Sequence, residues 1–193
     1  MNRVKLFGTF LLDELNASNV TKEWWGNKFG LQGGVSLTPR IPEVMTEWTL
    51  EFTAVRPWTY THRDPAISSY TQDGVGLGFP VGPNSRLLSL QTRWWLNPRH
   101  RVNLGYSLLH EGTAAPVTPF QVGGDPYVSY DDRNPDLDFA TPWLLGDIRK
   151  SADVYISWRW RLTDILRVTT GYQLRVAKDQ QDHLVSLELR ATY

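Results

Sequence analysis

The chain has 193 residues, 20 basic and 20 acidic side chains, no cysteine, and a mean hydropathy of -0.36. That length fits one domain, and the zero formal net charge gives no nucleic-acid footprint. No apolar run is long enough for a membrane-spanning helix, and the absence of thiols excludes a disulfide framework.

Alternation of apolar and polar residues with period two marks strands at 3–13, 28–38, 46–60, 86–97, 100–111, 151–162, 165–177 and 183–193. The first begins in Met1–Asp13, which has one Arg, one Lys and a short apolar stretch. No small-residue cleavage site follows it, so the segment reads as a strand rather than a signal peptide. Gly33-Gly34 softens the second strand. In the third, Trp48, Leu50, Phe52 and Ala54 oppose Glu47, Thr49, Glu51 and Thr53. In the fourth, Leu88, Leu90, Thr92, Trp94 and Leu96 oppose Ser89, Gln91, Arg93 and Trp95. The fifth sets Val102, Leu104, Tyr106 and Leu108 against Arg101, Asn103, Gly105 and Ser107.

The last three strands carry the strongest pattern. Val154, Ile156, Trp158 and Trp160 alternate with Asp153, Tyr155, Ser157, Arg159 and Arg161. Val168, Tyr172, Leu174 and Val176 alternate with Arg167, Gln173 and Arg175, and Val185, Leu187 and Leu189 with Glu188 and Arg190. An apolar, aromatic-rich face backed by a polar one is what the wall of a transmembrane barrel requires. The nine Trp and eight Tyr suit membrane–water interfaces, and such rings also stack on sugars.

The connections add an asymmetry. On one side they fall at 39–45, 97–100 and 162–165, all short. On the other they fall at 14–27, 61–85, 112–150 and 178–182, of which three are long. Short periplasmic turns and long outer loops are the barrel pattern. Segment 112–150 holds Pro116, Pro119, Pro126, Pro135 and Pro142, which makes it irregular. The expected fold is all-β: an antiparallel up-and-down transmembrane β-barrel in one domain, 1–193. About eight strands are expected, either as a complete barrel or as part of a larger one.

The third strand and the loop after it read Glu51-Phe-Thr-Ala-Val-Arg-Pro-Trp-Thr-Tyr-Thr-His62, then Tyr70-Thr-Gln-Asp-Gly-Val-Gly-Leu-Gly-Phe-Pro-Val-Gly-Pro-Asn-Ser85. This resembles the Wzi-type capsule-assembly family of outer-membrane proteins, and Lys5–Glu14 looks like another strand of that family. Gln72 stands where the family pattern has a second His, and Phe79 where a His often precedes Pro80. The resemblance implies a location in the bacterial outer membrane. It implies a chain that forms the C-terminal portion of a longer barrel. It also implies a lectin-like, non-catalytic role in attaching capsular-type polysaccharide. The partners are then outer-membrane lipid and surface polysaccharide, with no cofactor. The alternatives are a passive outer-membrane pore and a small structural barrel.

Within 61–85, Gly74, Gly76, Gly78 and Gly82 loosen the backbone and Pro80 and Pro83 stiffen it. Folded inward, this loop presents Tyr60, His62, Tyr70, Gln72 and Asn84 to a glycan, through ring faces and planar polar groups. The competing reading is an ordered plug that packs on its neighbours. Arg93, Arg101, Arg159, Arg161, Arg167, Arg175 and Arg190 share the polar face with Glu47, Glu51, Asp153 and Glu188. They form either an ion-pair network that fills the lumen or a path for anionic polysaccharide or ions.

Asp132, Asn134, Asp136 and Asp138 alternate like ligands of a hard cation. However, Leu137 and Trp143 occupy the places an EF-hand gives to Gly and Glu, so that motif fails. His62, His100, His110 and His183 show no diagnostic spacing for catalysis. The sequons at Asn16 and Asn19 are chance matches for a bacterial protein.

Overall fold

The computed structural model describes residues 3–65, 70–72, 75–115, 119–178 and 180–191. Its strands are β1 (Arg3–Glu14), β2 (Lys28–Thr38), β3 (Arg40–Ile41), β4 (Val44–Val55), β5 (Thr71–Gln72) and β6 (Val75–Gly76). They continue with β7 (Ser85–Asn97), β8 (His100–Thr113), β9 (Asp147–Arg161), β10 (Leu166–Ala177) and β11 (Gln180–Ala191). One antiparallel sheet runs β1-β2-β4-β7-β8-β9-β10-β11, with β3 paired to the start of β4, while β5 and β6 form a separate small hairpin. Each long strand pairs with its sequence neighbour, so the sheet is a meander.

The sheet is not closed into a barrel, so of the two expected forms the complete eight-stranded barrel is not the one observed. Among the described residues β1 pairs only with β2, and β11 only with β10, so the sheet is open at both margins. An eight-strand barrel has an interior just wide enough for its own side chains. Here the polar face already carries part of the connection between β4 and β7, where Tyr60, Phe79 and Val81 pack with Leu11, Leu87 and Leu109.

The third strand is shorter than its alternation predicts, ending at Val55 rather than at residue 60. Pro57 has no N–H to donate to a ladder. Trp58 and Tyr60 adopt left-handed backbone (φ 68° and 69°), and Thr61 N–H closes a turn on Trp58 O at 3.0 Å. The turn asymmetry is present. Pro42-Glu43, Pro98-Arg99 and 162–165 close one end, and the described parts of the connections 15–27, 56–84 and 114–146 lie at the other.

The two faces differ sharply. One row across the sheet reads Val4, Leu37, Trp48, Thr92, Leu104, Ile156, Tyr172 and Val185. The next reads Leu6, Val35, Leu50, Leu90, Tyr106, Val154, Leu174 and His183. Little covers this face: Leu6 is 78% exposed, Leu187 75% and Leu50 44%. The compact apolar cluster lies on the opposite face, where Val55, Tyr60 and Val81 pack with Leu11, Phe79, Leu87 and Leu109.

Candidate functional site

The long connections interlock into a cap over one end of the sheet. Arg56 begins it. Its guanidinium donates to Trp24 O (3.3 Å) and Thr141 O (3.2 Å) and lies against the packed rings of Phe29 (5.5 Å) and Trp143 (5.8 Å). Burial lowers the Arg56 pKa, with Glu23 opposing the shift. Trp58 is buried beneath Gly123, whose carbonyl accepts the Trp58 N–H at 2.9 Å. Gly123 has φ +67°, and a side chain there would run into the indole.

Lys28 is fully buried at the start of β2. Its ammonium donates to Thr61 O (2.9 Å), pairs with Glu14 (2.9 Å) and faces the rings of Tyr130 (4.6 Å) and Trp25 (5.3 Å). A buried charge is tolerated only when partners replace its water, and here four groups do so. Arg133 lies over the Trp25 ring at 4.2 Å and grips both oxygens of Asp138 (2.8 and 3.1 Å).

The five residues expected to meet a glycan divide by depth. Asn84 is fully buried with φ 56°. Its amide donates to Gly112 O, Val122 O and Leu145 O, and its oxygen accepts Leu145 N–H. Tyr60 is 5% exposed: its N–H donates to Asp13 (2.8 Å) and its phenol oxygen accepts Phe79 N–H (3.2 Å). These two build the cap rather than face solvent. Tyr70 is 40% exposed and stacks on Tyr60, rings 5.1 Å apart and 9° from parallel. His62 is half-buried. The backbone of Gln72 lies in β5, and its side chain falls outside the described residues, as do Asp73 and Gly74.

Next to His62, Arg63 pairs with Asp131 (3.3 Å) and accepts the Ser129 hydroxyl on its carbonyl (2.8 Å). The outer surface of the cap therefore carries Tyr70, His62, Arg63, Asp131 and the exposed Tyr127. Neither Arg63 nor Tyr127 is marked as a member by any sequence motif. The partners of Arg63 lie far along the chain, and Tyr127 sits in a turn closed locally by Asp125.

The polar-face charges are partly paired. Arg93 meets Glu47 (3.1 Å), Arg175 meets Asp153 (2.9 Å) and Arg190 meets Glu188 on its own strand (3.0 Å). Arg101, Arg159, Arg161, Arg167 and Glu51 have no ion pair among the described residues.

Within the aspartate-rich segment, Asn134 caps its own turn by accepting the Asp136 N–H, and Asp138 is taken by Arg133. Among the described residues, no three His, Asp or Glu side chains are gathered to hold a metal ion. The histidines are scattered: His100 stacks with Trp158 and Trp160, and His183 bonds the Tyr172 hydroxyl at 2.8 Å.

The architecture defines a class: an open antiparallel meander with one uncovered apolar face and a capped polar face. No family model matches the sequence, and neither curated proteins nor solved structures show one similar to it.

Proposed function

We propose that this chain forms part of the wall of an outer-membrane β-barrel of the Wzi type. Its cap binds or organises surface polysaccharide without catalysis. The observation that carries the membrane reading is the uncovered apolar face. Val4, Leu6, Phe10, Leu50, Leu90, Leu104, Ile156, Val185 and Leu187 all point one way and are exposed. A face this broad and apolar needs a covering medium, and lipid supplies one without a specific partner.

Aromatic rings edge that face at the short-turn end. Trp48 and Trp94 pack edge-on at 5.6 Å, and His100, Trp158 and Trp160 cluster with near-parallel rings, their centroids 5.6, 5.7 and 5.9 Å apart. Rings so placed suit the headgroup level of a bilayer, with the cap then outside. The glycan reading rests on the exposed Tyr70 ring, backed by buried Tyr60. It also rests on the motif resemblance across 51–85.

The test is refolding into lipid vesicles, followed by protease treatment and a glycan-retention assay with capsular-type polysaccharide. Protected strands, and retention lost in Tyr70→Ala, support the reading. A chain that stays soluble and monomeric without lipid or detergent overturns the membrane part. Protected strands with ion conductance and no retention favour a passive pore.

A further inference from the structure

The short-turn end of the polar face holds a concentration of positive charge that the cap does not touch. Arg101 in β8 lies directly opposite Arg159 in β9. One residue pair on, Arg161 faces Arg167 in β10, and Arg167 in turn faces Arg190 in β11. Directly opposed residues of an antiparallel pair have Cβ atoms about 4.5–5.5 Å apart, where like charges repel. The sheet therefore places several cations together at a register that works against its own stability.

Among the described residues no acid relieves them. Glu47 is held by Arg93 and Glu188 by Arg190. Asp164, in the neighbouring turn, forms no ion pair among the described residues. Arg101, Arg159, Arg161 and Arg167 are each half-buried, and the Arg101 Nε is buried without a hydrogen-bond partner. The four arginines, with Arg99, Trp95 and Asn97, line a hollow of about 170 Å³, and among the described residues no carboxylate lines it.

We propose that this hollow is a binding site for a phosphate-class oxyanion. The guanidinium fork matches two oxygens of such a group, and a doubly charged anion offsets the repulsion between opposed arginines. The Arg101 Nε supplies a donor already stripped of water and lacking an acceptor. The site is separate from the cap, and it stands or falls independently of glycan binding there.

The experiment uses the full chain refolded in detergent micelles. Inorganic phosphate and a sugar phosphate are titrated, with chloride at matched ionic strength as the control. Thermal stability and calorimetric binding are the readouts. Phosphate is expected to raise the melting temperature where chloride does not. Arg101→Gln with Arg159→Gln should weaken binding by about tenfold or more, from loss of charge-assisted bonds. Without phosphate, the double variant should be at least as stable as the parent, because the repulsion is gone. Arg159→Lys keeps the charge and should show intermediate binding. Arg149→Gln, which removes a cation paired with Glu111 elsewhere, should bind as the parent does. Tighter binding of the sugar phosphate supports the proposal with a glycan as the source, and equal binding supports it with the free ion. Equal shifts with chloride, or unchanged binding in the double variant, overturn it.

Discussion

Asn84 meets Leu145 twice: its amide nitrogen donates to the Leu145 carbonyl at 2.9 Å, and its side-chain oxygen accepts the Leu145 N–H at 2.7 Å. Two further carbonyls, of Gly112 and Val122, share the same amide. One side chain thus ties both ends of the 114–146 connection to the start of β7. Asn84→Gly retains the left-handed backbone and removes only these bonds. It should cost roughly 3 kcal/mol or more, since several buried groups lose partners at once. Denaturant unfolding measures the loss, and limited proteolysis should show new cleavage within 114–146.

Tyr60 gives the cap an alkaline limit. Burial raises its pKa above the ordinary value near 10, the Phe79 amide opposes this, and Tyr70 and Asp13 add to the rise. The folded cap therefore holds the phenol proton at a pH where the unfolded chain releases it. The stabilising contribution is complete below the ordinary tyrosine value and is lost as pH climbs through the raised one. A stability-versus-pH series should fall above that region, and Tyr60→Phe should flatten the fall.

Leu90 sits in the middle of the uncovered face, and its neighbour Ser89 points to the other. Leu90→Arg should reduce the stability of the lipid-refolded state by about 2–4 kcal/mol, the cost of a cation near the bilayer midplane. Ser89→Arg should cost far less. Equal effects of the two in vesicle refolding would contradict the assignment of faces.

Gly30 owes its identity to Phe79. A β-carbon at Gly30 would lie 2.6 Å from the Phe79 ring. Gly30→Val should expel that ring and cost about 1–3 kcal/mol, the usual range for overpacking. The loss of Phe79 packing should also free the Tyr60 phenol oxygen, visible as a change in its ultraviolet titration.

Tyr70 is the exposed member of a stacked pair, so Tyr70→Ala should leave the fold intact while lowering polysaccharide retention. A stacking ring of this kind accounts for about 1 kcal/mol, or several-fold in affinity. Unchanged retention in a folded variant would place the glycan elsewhere.

Strand positions were legible because period two is a local signal. The start of β2 at Lys28 and the β7–β8 turn at Pro98 emerge from a few adjacent residues. The end of β4 was not, because Trp58 and Tyr60 continue the apolar alternation while their backbone turns left-handed. The depth of Asn84 was invisible for another reason. Its partners lie 28, 38 and 61 residues away, and an asparagine after Gly-Pro looks like a surface turn. The burial of Lys28 was equally hidden, since lysine at a strand start normally marks solvent.

The margins of the sheet carry a consequence for how such a wall enters a bilayer. Along β1 and β11, one rank of peptide groups has no strand beside it among the described residues. Hydrocarbon offers these groups nothing to bond, at several kcal/mol for each one left bare. Lateral recruitment and insertion therefore cannot be separate events for this sheet. Whatever strand docks on each side, from the same chain or from another, acts as a co-solvent for the backbone, and the bilayer admits the wall only once both flanks are sealed.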